Sequence, residues 1–249
     1  MWGGKMIQGL YSASRGMTPL LQQQDQIANN LANINTTGFK QSSLFVKSYH
    51  RFLANDMQEP FAENDIKADE VYVDYREGPM KMTKAPLDCY IKGSGFFTIM
   101  TSDGIAYTRN GNFGLNPDGI IITSDGSKVM GTEGFIRVER DLPVTITEDG
   151  EILQEDECKG VMKVIDFEKP YNLKQCGEGR FRPLLPDNPE RQSAGFSVRQ
   201  GYLEGSNVNM IRNMVRMIAS YRNFEADQKA LHAQDETLEK AVNQVGRVG

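Results

Sequence analysis

The sequence contains few cysteines and histidines, and this scarcity excludes several kinds of site. Its 249 residues include three cysteines and two histidines. Cys89, Cys158 and Cys176 are odd in number and far apart, so they predict neither a disulfide framework nor a CxxC metal site. His50 and His232 have no flanking ligands, and a zinc site needs more donors. We therefore expect buried structural thiols, and no metal or cofactor.

Long apolar runs and clusters of positive charge are also lacking. No apolar run approaches the roughly 18 residues that span a bilayer, and the start of the chain lacks the apolar segment of a cleavable signal peptide. Lysines and arginines are scattered, and the formal net charge is −5. The sequence therefore indicates no basic patch that could bind a phosphate backbone. We expect no nucleic-acid partner and no membrane insertion. The location is predicted to be cytoplasmic, or reached by export that leaves the N-terminus intact.

The catalytic patterns that we sought lack supporting context. Cys89 lies in an alternating strand pattern and the histidines lie outside it, so no nucleophile and base are placed together. Gly93-Ser94-Gly95 is followed by neither Lys-Ser nor Lys-Thr and by no helix, which disfavours a nucleotide site. The acidic run at 148–157 does not match a calcium loop and is predicted to be a solvated edge. The sequence therefore predicts a protein without enzymatic activity.

Both termini carry apolar residues at heptad spacing on long helical stretches. The N-terminal ladder is Met6, Leu10, Ala13, Met17, Leu20, Gln24, Ile27, Leu31 and Ile34. The C-terminal ladder is Met210, Met214, Met217, Tyr221, Phe224, Gln228, Leu231, Asp235, Leu238, Val242 and Val245, widened by Ile211, Val215 and Ile218. Helices of about 30 and 40 residues would be roughly 45 and 60 Å long, more than a small β core can cover. The two seams are therefore expected to pack on each other or on neighbouring copies.

The predicted assembly interface consists of seam positions and two asparagines. Its members are Leu10, Met17, Leu20, Ile27, Asn30, Leu31, Asn33, Ile34, Met210, Met214, Met217, Tyr221, Phe224, Leu231, Leu238 and Val242. At this spacing the methionines are expected to be packing core rather than a promiscuous binding surface. The asparagines at positions 29, 30, 33 and 35 either cap the helix end or hydrogen-bond between subunits.

Helix ends can be read from capping residues. The first helix is expected to end at Gly38, a residue suited to the left-handed C′ position. Pro19 predicts either a kink or a second helix that starts at Pro19 with Thr18 as its cap. The C-terminal helix is expected to begin after Asn207, with Ser206 or Asn207 as the cap.

The middle of the chain carries strand and turn signals. Asp103-Gly104, Asn110-Gly111, Asp118-Gly119, Asp125-Gly126 and Asp149-Gly150 favour positive φ and tight reversals between antiparallel strands. The sequence therefore predicts an α+β protein with four segments. These are an N-terminal helix at 1–40, an extended connector at 41–84 with a possible strand at 71–75, a central all-β domain at 85–195, and a lead-in with a C-terminal helix at 196–249. The last segment is expected to pair with the first in a discontinuous, coiled-coil-like domain.

Four segments of the sequence resemble bacterial flagellar rod and hook proteins. They are residues 28–33 with 36–40 (Thr-Thr-Gly-Phe-Lys), residues 87–97, residues 107–113 and residues 200–209. The resemblance touches both ends and the middle in the same order as in the family. It implies a structural rod subunit that is exported unfolded by the flagellar type III apparatus to the periplasmic rod. It also implies that the partners are other copies and neighbouring rod and hook proteins, assembled as a helical tube that transmits torque.

Within the family, the chain is more similar to the proximal rod subunit than to the distal one. The short chain, residues 85–88 (Ala-Pro-Leu-Asp) and residues 144–150 carry this likeness. Two other classes of protein fit the sequence less well. A periplasmic coiled-coil adaptor needs helices that are adjacent in sequence, whereas here the β segment separates them. A carbohydrate-active enzyme needs two carboxylates across a cleft; Asp88 and Asp103 are available, but nothing in the sequence pairs them.

Overall fold

A computed structural model gives the fold of the chain. It describes the backbone of residues 3–48, 66–155, 157–184, 191–193 and 195–245, and side chains at 17–44, 71–155, 157–184, 191, 193, 195–237, 239 and 240. Two helices enclose a β-rich middle, so the fold is α+β as predicted. By their internal contacts the residues divide into two compact units. The helical unit comprises Met1–Ala32, Ser42–Asp74 and Asn209–Gly249, and the β unit comprises Asn33–Gln41 and Tyr75–Val208.

The elements follow one another along the chain as two helices and 19 strands in the described residues. They are α1 (Gly3–Ala32), β1 (Ser42–Ser48), β2 (Ile66–Val73), β3 (Met80–Met82), β4 (Cys89–Lys92), β5 (Phe96–Thr101), β6 (Gly104–Thr108), β7 (Phe113–Leu115), β8 (Ile121–Thr123), β9 (Lys128–Gly131), β10 (Gly134–Phe135), β11 (Thr145–Ile146), β12 (Glu151–Gln154), β13 (Glu157–Val161), β14 (Val164–Asp166), β15 (Leu173–Gln175), β16 (Arg180–Pro183), β17 (Arg191–Gln192), β18 (Ser197–Gln200), β19 (Tyr202–Glu204) and α2 (Met210–Val245).

Helix α1 ends earlier than the sequence suggested. It runs without interruption through Pro19, so the alternative of a second helix starting there is wrong. It stops at Ala32 rather than at Gly38. The hydroxyl of Thr36 donates to the side-chain oxygen of Asn33 (3.2 Å), and the Thr36 amide donates to the Asn33 carbonyl. Such local bonds compete with helical ones, which explains the earlier end.

Gly38 has the left-handed conformation that the sequence predicted, but it lies in the loop after the helix. Its φ is +69°. A Cβ at this position would lie 2.4 Å from the backbone nitrogen of Asn110, so both the conformation and the close approach of two backbones require glycine.

Helix α2 begins at Met210, and its cap is not one of the two residues predicted. The side-chain oxygen of Asn209 accepts a hydrogen bond from the Arg212 amide at 2.9 Å, which is the N-cap arrangement. Ser206 and Asn207 were the expected caps. The Ser206 hydroxyl instead accepts from the Val208 amide (3.3 Å), and the Asn207 side chain accepts from the Gln41 amide (2.6 Å). Both side chains thus bond to the backbone of the β unit.

The helical unit combines α1 and α2 with a two-stranded antiparallel hairpin of β1 and β2. Asn30 fixes the start of this hairpin to α1. Its amide nitrogen donates to the Ser42 carbonyl (2.6 Å), and its oxygen accepts from the Ser42 amide (3.0 Å). The Gln26 side chain donates to the Ser42 hydroxyl. The predicted connector at 41–84 therefore contains both strands of this hairpin as well as β3.

The β unit is built on antiparallel strands with one apolar core. Its largest sheet has the order β15-β16-β6-β5-β9-β8-β7, to which β10, β14 and β17 add. Smaller sheets pair β11-β12-β13, β18-β4 and β19-β3. The fully or nearly fully buried core residues include Cys89, Ile91, Phe97, Ile99, Ala106, Ile121, Val129, Ile152, Met162 and Val198. Alternation of buried and exposed positions in β9 and β12 reflects the period of two in the sequence.

Turn glycines agree with four of the five predicted dipeptides. Gly104, Gly119, Gly126 and Gly150 all have positive φ. Gly111 does not, and its role is different because a Cβ there would lie 1.8 Å from the carbonyl oxygen of Cys89. This position needs glycine for a close approach of two backbones rather than for a reversal.

Candidate assembly surfaces

A buried ionic cluster unites three distant parts of the chain inside the β unit. The Lys40 ammonium lies 2.5 Å from one oxygen of the Glu204 carboxylate, and the Arg109 guanidinium lies 3.4 Å from the other. These side chains are at most 4% exposed. The Lys40 ammonium also donates to the Arg76 carbonyl at 2.7 Å. Two cations thus share one carboxylate in a dry environment.

Backbone groups complete the coordination of this cluster. The Gly78 amide donates to Glu204 at 2.9 Å. The Arg109 guanidinium donates to the carbonyls of Ile91 (3.1 Å) and Gly93 (2.7 Å). Burial lowers the pKa of the Lys40 ammonium below its ordinary value, while the adjacent Glu204 carboxylate acts in the opposite direction. Buried charges are tolerated when they are paired and hydrogen-bonded in this way, and they then favour one arrangement of the chain.

This cluster was not predicted from the sequence, although its three residues lie in the segments that carry the family resemblance. Lys40 ends the Thr-Thr-Gly-Phe-Lys segment, Arg109 lies within residues 107–113, and Glu204 lies within residues 200–209. Each is a charged residue inside a glycine-rich or apolar segment. That shared property was the available signal, because charges of opposite sign in such segments need partners once buried.

In the helical unit, α1 packs against α2 through a partly polar seam. The α2 residues that are buried or half-buried recur at helical spacing: Asn213, Met217, Ser220, Phe224, Asp227 and Leu231. On α1, Ile27 and Asn30 are buried. Among the described side chains, the seam therefore shares only Met217, Phe224 and Leu231 with the predicted C-terminal ladder and is shifted to the side of Asn213 and Ser220.

A cavity of about 340 Å³ lies between α1, β1 and α2. Its lining includes Gln26, Asn30, Asn213, Arg216 and Ser220. The Asn213 amide nitrogen donates to the Asn209 carbonyl at 2.8 Å. The Asn213 side-chain oxygen and the Ser220 hydroxyl have no hydrogen-bond partner among the described residues. The centre of the helix pair is therefore polar and incompletely packed.

The first half of α2 also carries large apolar side chains that point away from this seam. We call them the apolar face: Met210, Ile211, Met214, Val215, Ile218 and Tyr221, which are 46–75% exposed. Contiguous exposed apolar residues of this size are typical of interaction surfaces.

The residues of the predicted assembly interface lie on both helices and just beyond α1. Ile27 and Asn30 are buried, whereas Met17, Leu20, Leu31, Asn33, Ile34, Met217, Phe224 and Leu231 are half-buried. Met210, Met214 and Tyr221 belong to the apolar face. The side chains of Leu10, Leu238 and Val242 lie outside the described residues.

The cysteines differ from one another in exposure. Cys89 is buried, and burial raises the pKa of its thiol. Cys158 and Cys176 are exposed, so the expectation that all three are buried was wrong. Cys158 lies on β13, which ends the three-stranded sheet, and Cys176 follows β15, which ends the path of the large sheet. Terminal strands leave side chains in solvent.

Chemical groups for catalysis or metal binding are not assembled in the described part of the chain, where no group of three His, Cys, Asp or Glu side chains could hold a metal. The buried Asp88 accepts a hydrogen bond from Asn112 (3.0 Å), while Asp103 lies exposed at a turn. His232 is exposed on α2, and His50 lies outside the described residues. Neither described helix has an apolar stretch suited to crossing a bilayer.

Comparisons with known families match three parts of the chain. Residues 10–40 match the family described as "Flagella basal body rod protein". Residues 90–154 match "Flagellar hook protein FlgE/F/G D1 domain", and residues 199–245 match "Flagellar basal body rod FlgEFG protein C-terminal". The first and last matches fall largely on α1 and α2, and the middle one falls on the β unit.

Curated relatives are similar over nearly the whole chain. The flagellar basal-body rod protein FlgF of Caulobacter vibrioides is 31% identical, with 94% of this chain and 96% of the relative covered. The flagellar basal-body rod protein FlgG of Borreliella burgdorferi is 31% identical, with 96% and 98% covered. FlgG of Bacillus subtilis is 29% identical, with 96% and 99% covered.

Proposed function

Because the chain belongs to the flagellar basal-body rod protein family, we propose that it builds the rod chiefly through its two long helices. Proteins of this family are structural and have no enzymatic activity. Rod and hook proteins are the partners that follow from the family, and the basal body is the location. In our proposal α1 and α2 form a coiled-coil-like layer of a helical tube.

The apolar face is the observation that carries this proposal. A monomer gains no free energy from side chains such as Ile211, which is 75% exposed, whereas a neighbouring subunit that covers the face removes them from water. Contacts that join different surfaces of identical subunits and do not close into a ring generate a helical filament. Many close-packed apolar contacts then resist shear, as torque transmission requires.

The predicted interface on α1 and α2 belongs to the same proposal. The half-buried Leu31 and Met217 are expected to become buried on assembly, together with Leu10, Leu238 and Val242. Asn30 and Asn33 are expected to hydrogen-bond within or between subunits at the end of α1. Export by the flagellar type III apparatus and a periplasmic position in the rod complete the proposed route.

Within the rod we propose the proximal position. This proposal rests on the likeness at residues 85–88 and 144–150 and on chain length. Overall identity does not distinguish the two positions, because the relatives named FlgF and FlgG are equally identical to the chain. A proximal subunit forms a limited segment because its upper surface matches a different protein better than its own kind. Counting copies in intact rods tests it: a handful at the cell-body side is expected, and some two dozen beneath the hook would instead indicate the distal position.

Aspartate substitutions in the seam test the assembly role. We expect Leu31→Asp or Met217→Asp to block rod formation and motility, because each places a charge where the interface is desolvated. The β unit should keep its unfolding transition. Ala32→Asp and Gln234→Asp are matched controls at exposed positions on the same helices and should assemble normally. Normal rods from both seam variants would contradict the proposal.

A further inference from the structure

The cavity between α1, β1 and α2 has a predominantly polar wall. Nine of its twelve lining residues carry amide, hydroxyl or guanidinium groups. Four of them follow one another on α2 at spacings of three or four residues, which places them on one face of that helix: Asn213, Arg216, Ser220 and Asn223. Two helices that only pack together bury apolar stripes. A polar wall instead suits an occupant that forms hydrogen bonds.

Two buried side chains in this wall have hydrogen-bonding groups that the described chain does not use. Asn213 is 0% exposed and Ser220 is 4% exposed. The Asn213 side-chain oxygen and the Ser220 hydroxyl have no partner among the described residues. By contrast, both polar side-chain atoms of Asn30 bond to the backbone of Ser42. Buried polar atoms are unfavourable without partners, so the cavity offers one acceptor and one hydroxyl to a ligand.

The cavity wall also carries a positive charge. Arg216 is the one charged residue among the described residues that line it. Its guanidinium forms no ion pair with the described part of the chain. Arginine binds a carboxylate through two parallel hydrogen bonds, which fixes the orientation of the bound group. The charged end of a ligand is therefore expected to be a carboxylate.

We propose that this cavity binds a small hydroxycarboxylate. The carboxylate of the ligand pairs with Arg216, and its hydroxyl groups donate to the Asn213 oxygen and bond to Ser220. An inorganic anion without a donor would face the Asn213 oxygen unfavourably. An amino acid would bring an ammonium group, for which the described lining has no carboxylate. The cavity volume of about 340 Å³ lies at the lower end of the range for ligand sites and suits an acid of about six carbons.

This binding site goes beyond the proposed function, because assembly through apolar contacts needs no ligand. An occupant that contacts both helices binds the packed helix pair and not the separated helices. The stability of the helical unit should therefore rise with ligand concentration, while that of the β unit should stay constant.

Calorimetric titration of the full-length chain with D-gluconate tests the site. Gluconate is a six-carbon carboxylate with hydroxyl groups, and we expect it to bind with a dissociation constant at or below about 1 mM. Sorbitol keeps the six carbons and the hydroxyl groups but lacks the charge. Hexanoate keeps the carboxylate but lacks the hydroxyl groups. Both should bind at least about tenfold more weakly, since each loses one part of the recognition.

Two substitutions locate the binding of gluconate. Arg216→Gln should lower the affinity about tenfold or more, whereas Arg212→Gln, at an exposed position of the same helix outside the cavity wall, should leave it unchanged. Ser220→Ala should lower the affinity about fivefold. It should not destabilise the ligand-free chain, because it removes a buried hydroxyl that has no partner among the described residues. This variant therefore separates a loss of binding from a loss of folding.

The outcomes separate this inference from the proposed function. Binding of gluconate that Arg216→Gln and Ser220→Ala weaken, together with a higher unfolding temperature of the helices, supports the site. No binding of gluconate, equal binding of sorbitol or hexanoate, or equal losses in Arg212→Gln and Arg216→Gln would overturn it. A chain that enters rods without binding gluconate would leave the proposed function intact.

Discussion

The helical unit and the β unit differ in how their buried polar groups are paired and in where their exposed apolar side chains lie. In the β unit, the buried Lys40 and Arg109 are paired with the Glu204 carboxylate, and the exposed large apolar residues lie on β3, β6 and β10 and just after β16. In the helical unit, six such residues share one half of one helix, and the seam behind them contains polar atoms that have no partner among the described residues. The β unit therefore pairs its buried charges internally, whereas the proposed function assigns the covering of the apolar face to a neighbouring subunit.

Removal of the Glu204 carboxylate, at the centre of the ionic cluster, should have the largest effect on the stability of the β unit. Glu204→Gln leaves two buried cations without a counter-charge, and we expect a loss of about 3–5 kcal/mol in the free energy of unfolding of the β unit. Denaturant unfolding measures it. Glu157→Gln removes the exposed partner of Lys159 and serves as the control, with no measurable change expected. A loss below about 1 kcal/mol for Glu204→Gln would show that the cluster is not a constraint.

A matched pair of isoleucine substitutions compares the two units directly. Ile152 is 0% exposed in the β core and Ile218 is 55% exposed on the apolar face. We expect Ile152→Ala to cost about 2–5 kcal/mol and Ile218→Ala to change the unfolding free energy by less than about 0.5 kcal/mol. Relative to its loss of stability, Ile218→Ala should impair rod assembly more than Ile152→Ala does. Equal losses in both variants would mean that Ile218 is packed within the monomer.

The cap of α2 should contribute a smaller amount. Asn209→Ala removes the acceptor of the Arg212 amide, and we expect a cost of about 1 kcal/mol to the helical unit. Circular dichroism during thermal unfolding would detect it as an earlier loss of helicity. Asn209→Asp keeps an acceptor at the helix N-terminus and should restore the wild-type value. No difference between the two variants would assign the helix start to another residue.

Alkaline pH should weaken the β unit through two tyrosines, the buried Tyr90 and the half-buried Tyr171. Burial raises the pKa of Tyr90 and of Tyr171 from 10.0 to about 12, and each hydroxyl donates to a carboxylate, that of Glu77 or Asp166. A group that binds its proton more tightly when folded stabilises the protein fully below its unfolded pKa. That contribution is lost as the pH rises from 10 towards about 12.

The unfolding free energy depends least on the protonation of Tyr90 and Tyr171 near neutral pH, because both tyrosines keep their protons there in the folded and unfolded states. Unfolding free energies measured across this alkaline range would follow the effect. Tyr90→Phe with Tyr171→Phe should flatten the pH dependence, whereas an unchanged slope would assign it to other groups.

Much of the fold could be predicted because the periodic signals are strong. Heptad spacing indicated both helices, and Asp-Gly dipeptides marked reversals such as those at Gly104 and Gly150. The helix ends were less predictable, since Asn33 and Asn209 act through side-chain hydrogen bonds that several neighbouring polar residues could equally have made. Gly111 was misread because a close approach between distant backbones leaves no local signal.

The candidate surfaces were predictable in outline only. Heptad spacing placed Met214 and Met217 on a single ladder, but the structure exposes Met214 and half-buries Met217 because the seam is centred on Asn213 and Ser220. A polar residue in a helix seam is invisible to a search for apolar periodicity. The ionic cluster was missed for a related reason, since its partners are brought together only by the tertiary fold.

The ion pair between Lys40 and Glu204 also bears on when the β unit can fold. The two residues are 164 positions apart, and any process that releases the chain from its N-terminus first delivers Lys40 and Arg109 well before their carboxylate. Until residue 204 emerges, closing the β unit would bury two cations without compensation. We therefore expect that a partial chain without β19 does not close the β unit. If the chain is exported in extended form, as proposed, the position of a single glutamate would delay its folding during passage.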